Sequence, residues 1–237
     1  MSGRALLLIP AFNEEASIGH VILEARQIVP DIDIVVANDC STDSTAMVAR
    51  RAGAGVLTVP HHLGLGGVLQ AGYRLAFELG YEYVVRIDGD GQMDPRDIQA
   101  LLTALRTSGC EMVIGSRYLT SDDGHTSPVR SLGIRFFRAV LRPILGKPVM
   151  DPTSGFVGVN RQALEVFSNS FPLEYPEIEA LVVLRRRAFH FLEVPCRIRP
   201  RRAGRSTITP LKSVYYIVHV LLGVLVNILK FERHRWR

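Results

Sequence analysis

Residues 84–95 read Val84-Val85-Arg86-Ile87-Asp88-Gly89-Asp90-Gly91-Gln92-Met93-Asp94-Pro95, and the place where this stretch changes character decides the fold. An apolar run from Tyr83 to Ile87 stops in three carboxylates, Asp88, Asp90 and Asp94. A strand that ends in Asp-Gly-Asp sets two hard oxygen ligands on a tight, glycine-permitted turn at the carboxyl edge of a sheet. Carboxylates that close repel one another: at an effective dielectric near 20, unit charges about 4 Å apart interact by roughly 4 kcal/mol. A divalent cation removes the penalty, and Mg²⁺ or Mn²⁺ suits such ligands, with waters and phosphate oxygens completing its shell. An isolated Asp-Gly-Asp would be read as a solvated turn; its position at a strand end changes that reading.

Outward from this stretch, strands and helices alternate. Apolar runs at 4–9, 32–37, 55–59, 83–87 and 112–114 read as strands. Helical spacing occupies 14–29, 45–52, 67–79 and 97–107 between them. Short connectors and strict alternation predict an α/β fold, a doubly wound, mostly parallel sheet with a ligand crevice at the strands' carboxyl ends. Beyond residue 118 the pattern loosens. A polar loop (118–129) is followed by an Arg-bearing helix (130–145), a turn running into a strand (151–159), a helix (177–187) and a final strand (191–199).

The chain has 237 residues, 47% of them hydrophobic, enough for one large core. Its formal charge of +5 is concentrated after Arg185, which points to a phosphate-bearing partner. Three widely spaced cysteines, Cys40, Cys110 and Cys196, suit neither a disulfide framework nor a zinc site and indicate a reducing, cytoplasmic setting. The amino terminus carries no signal-peptide pattern. A domain boundary is expected at the basic linker 200–209, giving a main domain of 1–209 and a tail of 210–237. The tail reads as an apolar helix over 211–231, whose apolar run of 214–229 falls short of the about 20 residues that span a bilayer. Flanked by Lys212, Lys230, Arg233, Arg235 and Trp236, it is expected to lie on an anionic membrane surface or to pair with a second copy of the chain, ahead of packing on its own domain.

Two further strand-end motifs converge on the same crevice. Ile9-Pro-Ala-Phe-Asn-Glu-Glu15 offers Asn13 and Glu15 as polar groups able to read a base or ribose, or as the acidic first turn of a helix. Ala37-Asn-Asp-Cys-Ser-Thr-Asp-Ser-Thr45 places Asp39 one residue past a strand, where it can accept from a base N–H; Ser41 or Thr42 can cap the following helix.

Jointly, PAFNEE, NDCSTD and DGDGQ resemble the motifs of family-2 glycosyltransferases of the GT-A fold, in order and approximate spacing, over residues 6 to about 205. The resemblance implies a nucleotide diphospho-sugar donor. Pro10, Ala11, Asn13, Glu15 and Asp39 would surround its base, Asp88 and Gly89 would lie along it, and Asp88, Asp90 and Gln92 would hold Mg²⁺ or Mn²⁺ on its diphosphate. The glycine-rich His61–Gly72 segment fits the family's but has Leu65 where many members have lysine. GSRY (115–118), DPTSGF (151–156) and RRAGRST (201–207) are similar to dolichyl- and polyprenyl-phosphate sugar synthases. That likeness implies Arg117 and Arg130 on an acceptor phosphate, where a guanidinium fork suits two oxygens, and Asp90 in catalysis. Arg117 could equally pair with Asp122 or Asp123.

The expected activity is therefore metal-dependent, inverting sugar transfer to a polyprenyl phosphate by an enzyme peripheral to the inner membrane face. The alternative keeps the donor chemistry but uses a hydroxyl of a saccharide or lipid, with Glu177 as base; a phosphate acceptor is already anionic and needs none. Glu177 can also serve simply at the start of the helix after Pro176. Nucleic-acid binding leaves Asp88 and Asp90 without a role, and no aromatic residues interleave with the arginines, so nucleic acid is not an expected partner.

Overall fold

The computed structural model describes residues 3–119 and 128–199, with side chains omitted at 128–132. The tail helix, the linker with RRAGRST, the 209/210 boundary and most of the 118–129 loop lie outside the described residues. Seven strands, β1 (Ala5–Ala11), β2 (Asp33–Asn38), β3 (Gly55–Thr58), β4 (Tyr83–Arg86), β5 (Met112–Ser116), β6 (Val157–Asn160) and β7 (Phe191–Pro195), form one sheet in the order β3-β2-β1-β4-β6-β5-β7. All neighbours are parallel except β6, which runs antiparallel to both β4 and β5. The α/β class and the mostly parallel sheet are as the alternation predicted.

Period-two alternation divides the core into two layers. In β1, Leu6 and Leu8 face one layer while Leu7 and Ile9 face the other. The first layer is covered by α3 (Gly64–Glu78), α5 (Pro128–Leu145), α6 (Arg161–Asn169) and α7 (Pro176–Arg186), through residues such as Leu69, Leu141, Phe167 and Leu181. The second is covered by α1 (Ile18–Ile28), α2 (Thr45–Arg51) and α4 (Ile98–Thr107), through Ile22, Ala49 and Leu101. Among the described residues no helix is long and apolar enough to cross a membrane.

Several expected elements are displaced, each for a local reason. The first helix begins at Ile18 rather than 14 because Glu14 O accepts the N–H groups of Ser17 and Ile18, making a preceding turn. Helix α3 starts at Gly64, three residues early, because a carboxylate from another loop caps it (below). The last strand stops at Pro195; Ile198 instead bridges to Met93. Helix α6 was not expected at all. Asn160 caps it, its side-chain oxygen accepting from Gln162 N at 3.0 Å and Ala163 N at 3.1 Å.

Candidate active site

The carboxyl ends of β1, β2 and β4 sit side by side, since β1 pairs with β2 on one flank and β4 on the other. Their loops enclose a cavity of about 270 Å³ lined by Pro10, Ala11, Phe12, Glu14, Asp39, His62, Leu65, Val68, Asp88, Gly89 and Asp90. Seven residues singled out from sequence therefore meet in one place: Pro10, Ala11, Asp39, Leu65, Asp88, Gly89 and Asp90. Phe12, Glu14, His62 and Val68 line it as well and had no distinguishing signal of their own.

At one end are the two acids. Asp90 is buried, and its Oδ1 accepts the Gln92 N–H at 3.0 Å. Gly91 makes the turn at φ +76°, a conformation that a side chain resists. Asp88 is about one-third exposed and is held from behind by Arg86. Among the described residues no group of three or more His, Cys, Asp or Glu side chains is placed to hold a metal ion. A pair of carboxylates opening on a cavity still fits Mg²⁺ or Mn²⁺, which commonly takes one or two protein carboxylates and fills its shell with water and phosphate. Gln92 is not a lining residue. Its backbone bonds Asp90 and, through its carbonyl, the Arg199 N–H at 2.8 Å.

At the other end, Asp39 is almost wholly buried and caps α3. Its two oxygens accept Leu63 N at 2.7 Å and Gly64 N at 2.9 Å, and His62 Nδ1 lies 2.9 Å away. Neither Ser41 nor Thr42 caps α2 as expected; Asp43 Oδ1 accepts Thr45 N at 2.9 Å at its start, and Asp39 serves the glycine-rich helix. Phe12 stacks on His62 with ring centroids 4.4 Å apart, forming an aromatic wall beside Asp39. Asn13 and Glu15 are not in the cavity lining. Asn13 Oδ1 accepts Thr42 N at 2.9 Å and Glu15 Oε2 accepts Ser44 N at 2.8 Å, so both lace the first motif to the second. Asn13 adopts φ +55° to do so.

A second set of charges lies behind the acids. Arg117 makes a bidentate pair with the buried Asp151 of DPTSGF, Nε and Nη2 each 2.6 Å from its oxygens, and Nη2 also donates to Thr153. The partner among the described residues is Asp151, whereas Asp122 and Asp123 lie outside them; Nη1 takes no part in the Asp151 pairing. Burial disfavours the Arg117 charge, but Asp151 outweighs it and raises the pKa. Arg130 falls in α5, with its side chain outside the described residues. Glu177, in the first turn of α7, accepts from Arg86 Nη2 at 2.9 Å. Arg86 was passed over in the sequence, although a charge inside a central apolar strand requires partners.

The family profile described as Glycosyl transferase family 2 matches residues 7–167. The undecaprenyl-phosphate mannosyltransferase of Micrococcus luteus is 34% identical over 159 residues, 65% of this chain and 65% of its own length. The polyprenol monophosphomannose synthase of Mycolicibacterium smegmatis is 30% identical over 68% of this chain and 63% of its own. The chain thus spans just under two thirds of both. A UDP-N-acetylglucosamine–dolichyl-phosphate N-acetylglucosaminyltransferase of Methanococcus voltae is 28% identical over 81% of the chain and 84% of its own length. Among solved structures, glucosyl-3-phosphoglycerate synthase of Mycobacterium tuberculosis, in complex with Mn²⁺, UDP and phosphoglyceric acid, has a TM-score of 0.72 and 26% identity, covering 94% of this chain and 78% of that one. With its strand-end motifs gathered in one crevice and its profile match extending over more than half its length, the chain belongs to glycosyl transferase family 2.

Proposed function

We propose that this glycosyltransferase moves a sugar, with inversion, from a nucleotide diphospho-sugar to a polyprenyl phosphate at the cytoplasmic face of a membrane. The observation that carries the reading is the shared cavity, with Asp39, Phe12 and His62 at one end and Asp88 and Asp90 at the other. That spacing suits a ligand with a base at one end and a diphosphate at the other. The named relatives on polyprenyl and dolichyl phosphates support the acceptor class. The neighbour crystallised with Mn²⁺ and UDP supports the donor and the ion.

A bound Mg²⁺ or Mn²⁺ supplies charge neutralisation at the leaving diphosphate. The chain supplies the rest. Asp88 and Asp90 present oxygens on a turn fixed by Gly91; the α3 amino terminus, capped by Asp39, sets the far wall. Arg117, immobilised by Asp151, keeps Nη1 available for an acceptor oxygen. Glu177 is engaged by Arg86, which favours an acceptor that arrives already ionised over one needing a base. In this reading the tail at 210–237 holds the enzyme at the membrane surface.

The test is a screen of UDP- and GDP-sugars with the full chain, short polyprenyl phosphate and Mn²⁺, following released nucleotide and glycolipid. Transfer is expected with one donor class and is expected to fall at least about 1,000-fold in Asp90→Ala. Transfer at the wild-type rate by Asp90→Ala in the presence of a chelator refutes the assignment.

A further inference from the structure

We propose that Arg86 is a positioning residue for the metal-binding acid Asp88, and that Glu177 is the counter-ion that screens Arg86's charge from the cation site. This rests on the metal reading above and gives Glu177 a role other than that of a base.

The geometry is a chain of three charges. Arg86 Nη2 lies 3.2 Å from Asp88 Oδ1 and 2.9 Å from Glu177 Oε1, so one nitrogen joins the strand-end acid to the first turn of α7. Arg86 is 3% exposed and Glu177 15%, whereas Asp88, at 37%, reaches the cavity. Arg86 projects into the same layer as Val84, two residues before it, near Tyr73. Its Nε finds no acceptor among the described residues, so the two carboxylates provide its compensation. Tyr73 cannot add a third negative charge, because burial foremost pushes its hydroxyl up to about 12. An arginine guanidinium stays protonated in proteins. Arg86 is therefore a permanent cation directly behind a metal ligand.

A permanent cation there has two opposed effects. It fixes Asp88 Oδ1 through a hydrogen bond, and it repels any second cation that Asp88 binds. Glu177 resolves the conflict by cancelling the charge while leaving the hydrogen bond in place. The contact also ties α7 to the metal turn.

Wild type and Glu177→Gln are titrated with Mn²⁺ alone, following loss of the free-ion electron paramagnetic resonance signal. Glu177→Gln keeps the shape but unmasks Arg86, and its Mn²⁺ affinity is expected to fall about tenfold. The double variant Arg86→Met/Glu177→Gln removes both charges and is expected to recover part of the loss, to about threefold below wild type, because the charge balance is restored while Asp88 stays without the hydrogen bond that orients it. Glu177→Asp, which withdraws the carboxylate without deleting it, gives a smaller loss and serves if the Gln variant does not fold. A base role instead predicts lower kcat with unchanged Mn²⁺ binding, and that result overturns the inference. An equally weak double variant also overturns it, since Glu177 would then act independently of Arg86. If wild type binds no more Mn²⁺ than Asp88→Ala, the metal reading itself falls and takes this inference with it.

Discussion

The tightest constraint on the acids comes from a residue that has no side chain. A Cβ built on Gly155 would stand 2.9 Å from Asp88 Oδ2, closer than a carbon sits, and 3.0 Å from Arg86 Nη2, a tight contact. The backbone of DPTSGF therefore closes directly over the charged pair. Gly155→Ala must displace one of these groups, and either shift strains the Arg86–Asp88 hydrogen bond. The expected outcome is a loss of about 1–3 kcal/mol in urea denaturation, together with weaker Mn²⁺ binding; unchanged metal affinity would mean that the pair tolerates the shift. The DPTSGF turn could be recognised in the sequence, but not this role, because the contact joins positions nearly seventy residues apart. The same limit applies to Asn13 and Glu15. Their residue types were read as donor contacts, and their hydrogen bonds go to Thr42 and Ser44. Asp88 and Asp90 were legible because local chemistry suffices there: a strand end, a left-handed Gly91 and two acids need no distant partner to be understood.

Among the elements, the turn from β4 into α4 is secured by the segment after β7. Asp94 starts the 3₁₀ turn Pro95–Asp97 by accepting Arg96 N at 3.0 Å, and Arg199 Nη2 lies 2.7 Å from it. Arg197 Nη2 lies 2.5 Å from Asp97, and Arg199 N donates to Gln92 O. Burial pushes the Asp94 carboxyl up, but Arg96 and Arg199 overcome this and hold it well below the usual range. A depressed carboxyl stabilises the fold fully above its unfolded pKa, about 3.9, and loses that contribution as pH falls through the folded value. Asp94→Asn is thus expected to cost about 2 kcal/mol at pH 7. The gap to wild type should narrow only below about pH 4. Urea curves at pH 7, 5 and 3 decide it, and a gap independent of pH would show that the charge contributes nothing. These elements were only partly legible in the sequence. Period and capping located most helices, since each signal lies within its own segment, whereas the antiparallel insertion of β6 between β4 and β5 depends on pairings no local pattern encodes. Helix α6 did carry a local signal, Asn160 before Ala163, Leu164 and Phe167, hidden behind the turn-to-strand reading of the residues just before it.

For the molecule as a whole, the sheet separates what is rigid from what binds. Two apolar layers fix β1, β2 and β4 from either face, and the polar loops at one edge inherit their positions from that packing. On the proposed metal site, ligand and ion together should stabilise the entire domain rather than a loop. At a hundredfold excess over Kd, binding adds about 2.7 kcal/mol. For a chain of this size each kcal/mol moves Tm by about 2–4 °C, so a rise of roughly 5–10 °C is expected. Differential scanning fluorimetry with UDP and with GDP, each with Mn²⁺, measures it and identifies the base preference at once. The rise should need nucleotide and ion together, vanish with a chelator, and be absent in Asp90→Ala, whose Tm without ligand should stay within a few degrees of wild type. A full shift in Asp90→Ala would place the nucleotide away from this crevice, and a shift by nucleotide alone would separate donor binding from the metal.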